Sequence, residues 1–210
     1  MLWFLWGQTL GEIGFRSGTM ASRTAFIIGD SISEGYRRQA AESLLGVGIA
    51  TEWFFGGSSA QLLAGLPEWM PGKQPDLIQF NCGLHDARYF DIARTYQQQI
   101  GNYELLLGGI VRWLQANTDA GLVWATTTPV IAERITLEYR RSAEDVLAYN
   151  AVAADIMRDA GIPILDLHAV IDGDGAADYI SADGVHMTDS GYAVLAEAVS
   201  AGIAERLVAG

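Results

Sequence analysis

Thr24-Ala25-Phe26-Ile27-Ile28-Gly29-Asp30-Ser31 is a short apolar run that closes on a glycine, an acid and a hydroxyl. An unbroken apolar stretch of this length, without alternation, is the pattern of a parallel strand covered on both faces. Parallel strands need a crossover, and Ser33 to Leu45 supplies one, with apolar residues spaced for one helix face. The run therefore predicts the first β-α step of a doubly wound sheet.

The step repeats downstream. Apolar runs at Val47 to Phe55, Leu77 to Asn81, Leu122 to Thr126 and Ile162 to Leu165 predict four more strands. Thr95 to Asn117, Ala143 to Ala160 and Asp189 to Leu207 predict helices, while Pro75, Gly121 and Gly161 with Pro163 mark the junctions. The expected fold class is α/β, a three-layer α/β/α sandwich with a central parallel sheet of about five strands. Residues 22–210 are expected to form one domain.

The start of the chain reads differently. Leu2-Trp3-Phe4-Leu5-Trp6 is apolar but breaks at Gly7 and Gln8, and no basic residue precedes it. A membrane span needs ~20 apolar residues, so no membrane partner is expected. Met20-Ala21-Ser22 resembles a natural start, which makes residues 1–21 an extension, a leader, or an arm packing on the body or on a second copy in a homo-oligomer.

Composition narrows the partners. With 210 residues, half of them apolar, the chain has enough material for one substantial core. Thirteen basic residues against 25 acids give a net charge of −12, which argues against a nucleic-acid backbone or an anionic leaflet. A small molecule is the expected ligand. The single cysteine, Cys82, has no internal partner for a disulfide and no paired spacing for zinc, so a reducing, cytoplasmic setting is expected.

Ligands of open parallel sheets bind beyond the carboxyl ends of the strands. Ser31, Gly56 with Gly57, Asn81 to Asp86, and the turn Asp183-Gly184-Val185-His186 all fall there. Each has a plain reading: Ser31-Ile32-Ser33-Glu34 matches a helix capping box, and Asp183 to His186 suits a polar turn. Together they offer a nucleophile, a base and a carboxylate. A serine hydroxyl needs an imidazole to take its proton and a third group to fix that imidazole's tautomer.

Taken in order, these blocks resemble the SGNH hydrolases, or GDSL esterases and lipases. Ile28-Gly29-Asp30-Ser31-Ile32-Ser33 looks like the nucleophile block, and Gly56-Gly57-Ser58-Ser59-Ala60 is similar to the block that supplies an oxyanion-hole glycine. Asn81-Cys82-Gly83-Leu84-His85-Asp86 stands at the third, and Asp183 to His186, followed by Thr188, Gly191 and Tyr192, looks like the last. The resemblance implies Ser31 as nucleophile, His186 as general base and Asp183 as its orienter. It implies an oxyanion hole built from the N–H groups of Ser31 and Gly57, with Gly56 as the one-residue alternative, and a third donor. The family pattern Gly-x-Asn-Asp has asparagine where this chain has His85, so His85 is the first choice for that donor and Asn81 the second.

Of the other histidines, His168 is expected to be structural, and His85 and Asp86 point apart as immediate neighbours. The pairs His85-Asp86, Asp166-His168 and Asp183-His186 raise a metal-dependent phosphoesterase as an alternative, but no His-Glu-x-x-His spacing supports it and no cofactor is expected. A non-catalytic carbohydrate-binding domain is the other alternative, although Trp53, Trp113 and Trp124 fall in core elements. No Gly-x-Ser-x-Gly elbow is present. Short loops suit small acyl groups, most of all acetyl, and the Gly-Leu-His-Asp wording is similar to members acting on acetylated sugars. Arg88 to Ile92 and Val130 to Tyr139 are expected to line the pocket.

Overall fold

In the computed structural model, which describes residues 22–208 apart from 137 and 174, the run quoted first forms β1 (Arg23–Gly29). The segment 1–21, read above as an extension or leader, lies outside the described residues. Helix α1 (Ser31–Gly46) follows at once, and a turn through Gly48 leads into β2 (Ile49–Phe55). Next come α2 (Ser59–Trp69), β3 (Leu77–Phe80), β4 (Tyr89–Phe90), β5 (Thr95–Tyr96), α3 (Ile100–Asn117) and β6 (Gly121–Ala125). The chain continues through β7 (Tyr139–Arg140), α4 (Ala143–Asp159), β8 (Ile164–Leu165), α5 (Leu167–Asp172) and α6 (Ala176–Tyr179) to α7 (Asp189–Val208).

The five parallel strands that the apolar runs predict lie in the order β2-β1-β3-β6-β8. Alternation along β1 explains the three layers. Ala25 and Ile27 pack with Leu44, Leu195 and Val199 of α1 and α7, whereas Phe26 and Ile28 pack with Leu62, Leu107 and Ile110 of α2 and α3. A strand buried on both sides reads as a nearly continuous apolar run. The order reverses between β1 and β3, which opens a crevice beyond their carboxyl ends. None of the described helices is long and apolar enough to cross a membrane.

Three departures from expectation have physical causes. The helix expected from Thr95 starts at Ile100, because Thr95 and Tyr96 pair with β4 and the Tyr96 ring meets Tyr89 edge-on at 5.0 Å. Strands β5, β4 and β7 form a separate antiparallel ribbon whose two-residue strands are too short to alternate visibly in sequence. Helix α2 was not foreseen, yet Ser58 and Gln61 cap it with a reciprocal box.

Candidate active site

Asp30, not Ser31, is the cap of α1. Its carboxylate accepts from the Ile32 N–H at 3.0 Å, and its carbonyl accepts from the Ser33 hydroxyl at 2.7 Å. The capping box expected of Ser31 and Glu34 is absent, because Asp30 already satisfies the helix start and Glu34 faces Arg37 instead. This division of labour leaves the Ser31 hydroxyl free. Its Oγ lies 2.9 Å from His186 Nε2, although the two residues stand 155 positions apart.

His186 is held from behind. Its Nδ1 lies 2.7 Å from Asp183 Oδ2, while Asp183 Oδ1 accepts from the N–H groups of Val185 at 2.8 Å and His186 at 2.9 Å and from the Ser181 hydroxyl at 2.9 Å. Burial alone would raise the Asp183 pKa, but these four hydrogen bonds hold its carboxyl well below the usual range. The turn needs Gly184, whose φ is 78° and whose missing Cβ would sit 2.4 Å from the Ile131 carbonyl oxygen. The Ile131 N–H donates to the Gly184 carbonyl at 2.8 Å, docking the turn on the loop after β6.

The expected oxyanion donors differ in what already engages them. Neither the Ser31 nor the Gly57 N–H has a protein acceptor among the described residues, and Gly57 takes a φ of 60°. Gly56 spends its N–H on the Gly29 carbonyl at 2.6 Å, which removes it as a donor. His85 presents a half-buried ring that meets Phe55 edge-on at 6.1 Å, next to the Gly56-Gly57 turn. Burial and the neighbouring charges of Arg88, Arg141 and His186 push its pKa down to about 3. Asn81 instead lines a small pocket of about 10 Å³, with Asp30, Ser33, Tyr36 and Thr126 to Thr128. His168 stays apart from the site, its N–H donating to Thr126 Oγ1 at 2.8 Å.

A profile of the GDSL-like lipase/acylhydrolase family matches residues 27–194. The chain belongs to that family. It is a carboxylic ester hydrolase, and its fold recurs in solved structures. A lipase/acylhydrolase from Enterococcus faecalis shares 18% identity at a TM-score of 0.73, over 88% of this chain and 96% of that one. A GDSL-like lipase from Bacteroides thetaiotaomicron shares 18% at 0.70, over 88% and 89%. An acetylxylan esterase from Geobacillus stearothermophilus shares 18% at 0.71, over 89% and 96%. No curated protein matches the sequence.

Three side chains that sequence reasoning passed over hold this acylhydrolase's site together. Asp86 is fully buried and accepts from the Ser59 N–H at 3.0 Å, tying the loop after β3 to the start of α2 just beyond Gly57. Arg134 donates to the carbonyls of Ala177, Ile180 and Ser181, at 2.6 Å to Ile180, and so fastens the segment leading to Asp183. Arg141 donates from Nε to the Leu84 carbonyl at 2.6 Å, one residue before His85. Asp86 stood in the third block and was legible as a buried acid needing donors. The two arginines meet their partners only through long-range folding.

The acids of the three histidine pairs considered as metal ligands are each spent elsewhere. Asp86 holds Ser59, Asp166 caps α5 through Ala169 and accepts from Thr126 at 3.0 Å, and Asp183 holds its own turn. No carboxylate among them is left facing a common centre.

Proposed function

We propose that this acylhydrolase cleaves short-chain, acetyl-type carboxylic esters, acetylated carbohydrates among them, by a Ser31-His186-Asp183 triad and an acyl-enzyme. The observation that carries the reading is the unbroken relay from Ser31 Oγ to His186 Nε2 at 2.9 Å and from His186 Nδ1 to Asp183 Oδ2 at 2.7 Å. Asp183, ionised and held by three other donors, accepts the Nδ1 proton and so leaves Nε2 as the basic nitrogen. His186 takes the Ser31 proton as Oγ adds to the ester carbonyl, then gives it to the departing alkoxide. Water, activated by the same nitrogen, adds to the acyl-enzyme and releases the acid.

The tetrahedral oxygen carries charge that preorganised donors stabilise, each worth ~10²–10³ in turnover. The N–H groups of Ser31 and Gly57, free of other acceptors, suit that role. His85 is favoured over Asn81 as the third donor. Its ring is neutral, and Arg88 lies 3.4 Å from Nε2, which leaves the proton on Nδ1, whereas Asn81 lines the small pocket shared with Asp30 and Tyr36. The fold shared with an acetylxylan esterase supports an acetyl-sized acyl group.

Initial rates over p-nitrophenyl esters of rising chain length, with acetylated xylose and glucose alongside, test the reading. Activity should fall steeply beyond butyrate, and a preference for octanoate or longer would refute the small acyl pocket. Ser31→Ala should abolish both turnover and fluorophosphonate labelling. Chelator should leave the rate unchanged.

A further inference from the structure

Two guanidinium groups stand beside the site with no acid in ion-pair contact among the described residues. Arg88 and Arg141 each lie 4.8 Å from the centre of the same Tyr139 ring. No carboxylate among the described residues forms an ion pair with either, although Arg140, adjacent in sequence, is bound to Asp91. The chain has 25 acids against 13 basic residues, so an unpaired couple is not for want of carboxylates.

The two arginines differ in what surrounds them. Arg141 is buried, gives its Nε proton to the Leu84 carbonyl, and feels the charge of Asp30, whose own Oδ1 is engaged by Ile32. For Arg88 the described residues supply no ion-pair partner. Its Nε is buried with no acceptor, and its terminal nitrogen reaches only as far as His85 Nε2, at 3.4 Å. Its half-buried side chain begins at the end of the loop that carries His85, which in turn lies near enough to His186 to feel its charge. Two like charges held together out of water are costly unless an anion joins them, and the planar fork of arginine is shaped for a carboxylate or phosphate.

We propose that Arg88, backed by Arg141 and stacked on Tyr139, receives an anionic group carried by the ester itself, so that preferred substrates bear a carboxylate or similar anion near the scissile bond. The inference rests on the esterase reading and narrows it. His85 then stands between two tasks, facing the oxyanion on one side and the arginine that grips the substrate's charge on the other. The net charge of −12 disfavours approach of an anion from a distance, so the recognition is local.

Two matched pairs of esters test this on the whole protein. One pair is monoethyl succinate and ethyl butyrate, with the charge on the acyl side; the other is 4-acetoxybenzoate and its methyl ester, with the charge on the leaving group. In at least one pair the anionic member should have a kcat/KM about 10- to 100-fold above its neutral partner, the range of a charge-assisted hydrogen bond. Arg88→Met should bring that ratio near one, whatever happens to the neutral rate, and Arg88→Lys should restore part of it. Neutral members preferred in both pairs, or a ratio untouched by Arg88→Met, would overturn the proposal. Absence of Ser31-dependent turnover for all four esters would overturn the esterase reading and this inference with it.

Discussion

Replacing Asp183 by asparagine changes one atom and should silence the enzyme. The side chain accepts four hydrogen bonds, three at Oδ1 and one at Oδ2 from His186 Nδ1. An asparagine keeps the three by placing its amide oxygen where Oδ1 was, which turns its NH₂ group toward His186. That donor forces Nδ1 to become the acceptor and moves the ring proton to Nε2, facing Ser31. In this tautomer the imidazole has no lone pair for the serine proton. Wrong-tautomer substitutions of this kind lower turnover by ~10⁴ in serine enzymes, equivalent to about 5 kcal/mol of transition-state stabilisation. The opposite amide orientation is disfavoured, since it sets NH₂ against the N–H groups of both Val185 and His186. Because Asp183 is about half exposed, with a side-chain accessibility of 47%, the effect on stability should be small. Steady-state hydrolysis of p-nitrophenyl acetate, with the melting temperature as control, decides the matter. A variant that folds and keeps more than about a tenth of wild-type kcat would refute the tautomer argument.

Two other substitutions follow from the same geometry. Gly57→Ala places a side chain at a φ of 60° with its Cβ 2.6 Å from Gln61 Oε1, the atom that caps α2. It should cost about 1–3 kcal/mol, read as a fall of several degrees in melting temperature, and lower turnover at least tenfold; an unchanged melting temperature would count against it. His85→Gln should lower kcat by ~10² with little change in KM, and an unchanged kcat would pass the donor role to Asn81. The same variant has a pH signature. His85 titrates near 3 when folded and near 6.5 when unfolded, so the unfolded chain binds more protons between those values and wild-type stability falls as pH drops through that window. His85→Gln should show a shallower fall between pH 6.5 and 4 in thermal melts, and parallel curves would contradict the assignment.

What could be read before folding was whatever is local or buried on both sides. The runs behind β1, β3 and β6 are legible because a strand covered on two faces is nearly all apolar, the buried Gln79 of β3 being the exception, with its amide donating to the Tyr36 hydroxyl. Asp183 and His186 share one turn, so their partnership is visible within four residues. The cap of α1 is ambiguous in the sequence for a simple reason: Asp30 and Ser31 are both good caps, and only folding shows that Asp30 caps the helix while Ser31 meets His186. The ribbon of β4, β5 and β7 was invisible, since two-residue strands have no period. With it went the meeting of Arg88, Tyr139 and Arg141, which only that ribbon brings about. Helix α2 is marked in the sequence by Ser58 and Gln61, three residues apart, which form its reciprocal cap.

The contact between Ser31 and His186 has a consequence in time. Helix α1 is synthesised early, and α7 packs against it on the same face of the sheet, with the ring of Tyr192 seated where a side chain on Gly35 would be. The turn bearing the base lies just ahead of α7. Under the triad proposed above, a nascent chain exposes its nucleophile block long before its base emerges, and hydrolysis has to wait until α7 docks on α1. Recovery of hydrolytic activity after dilution from denaturant then reports the docking of α7 on α1, on the opposite face of the sheet from Trp124.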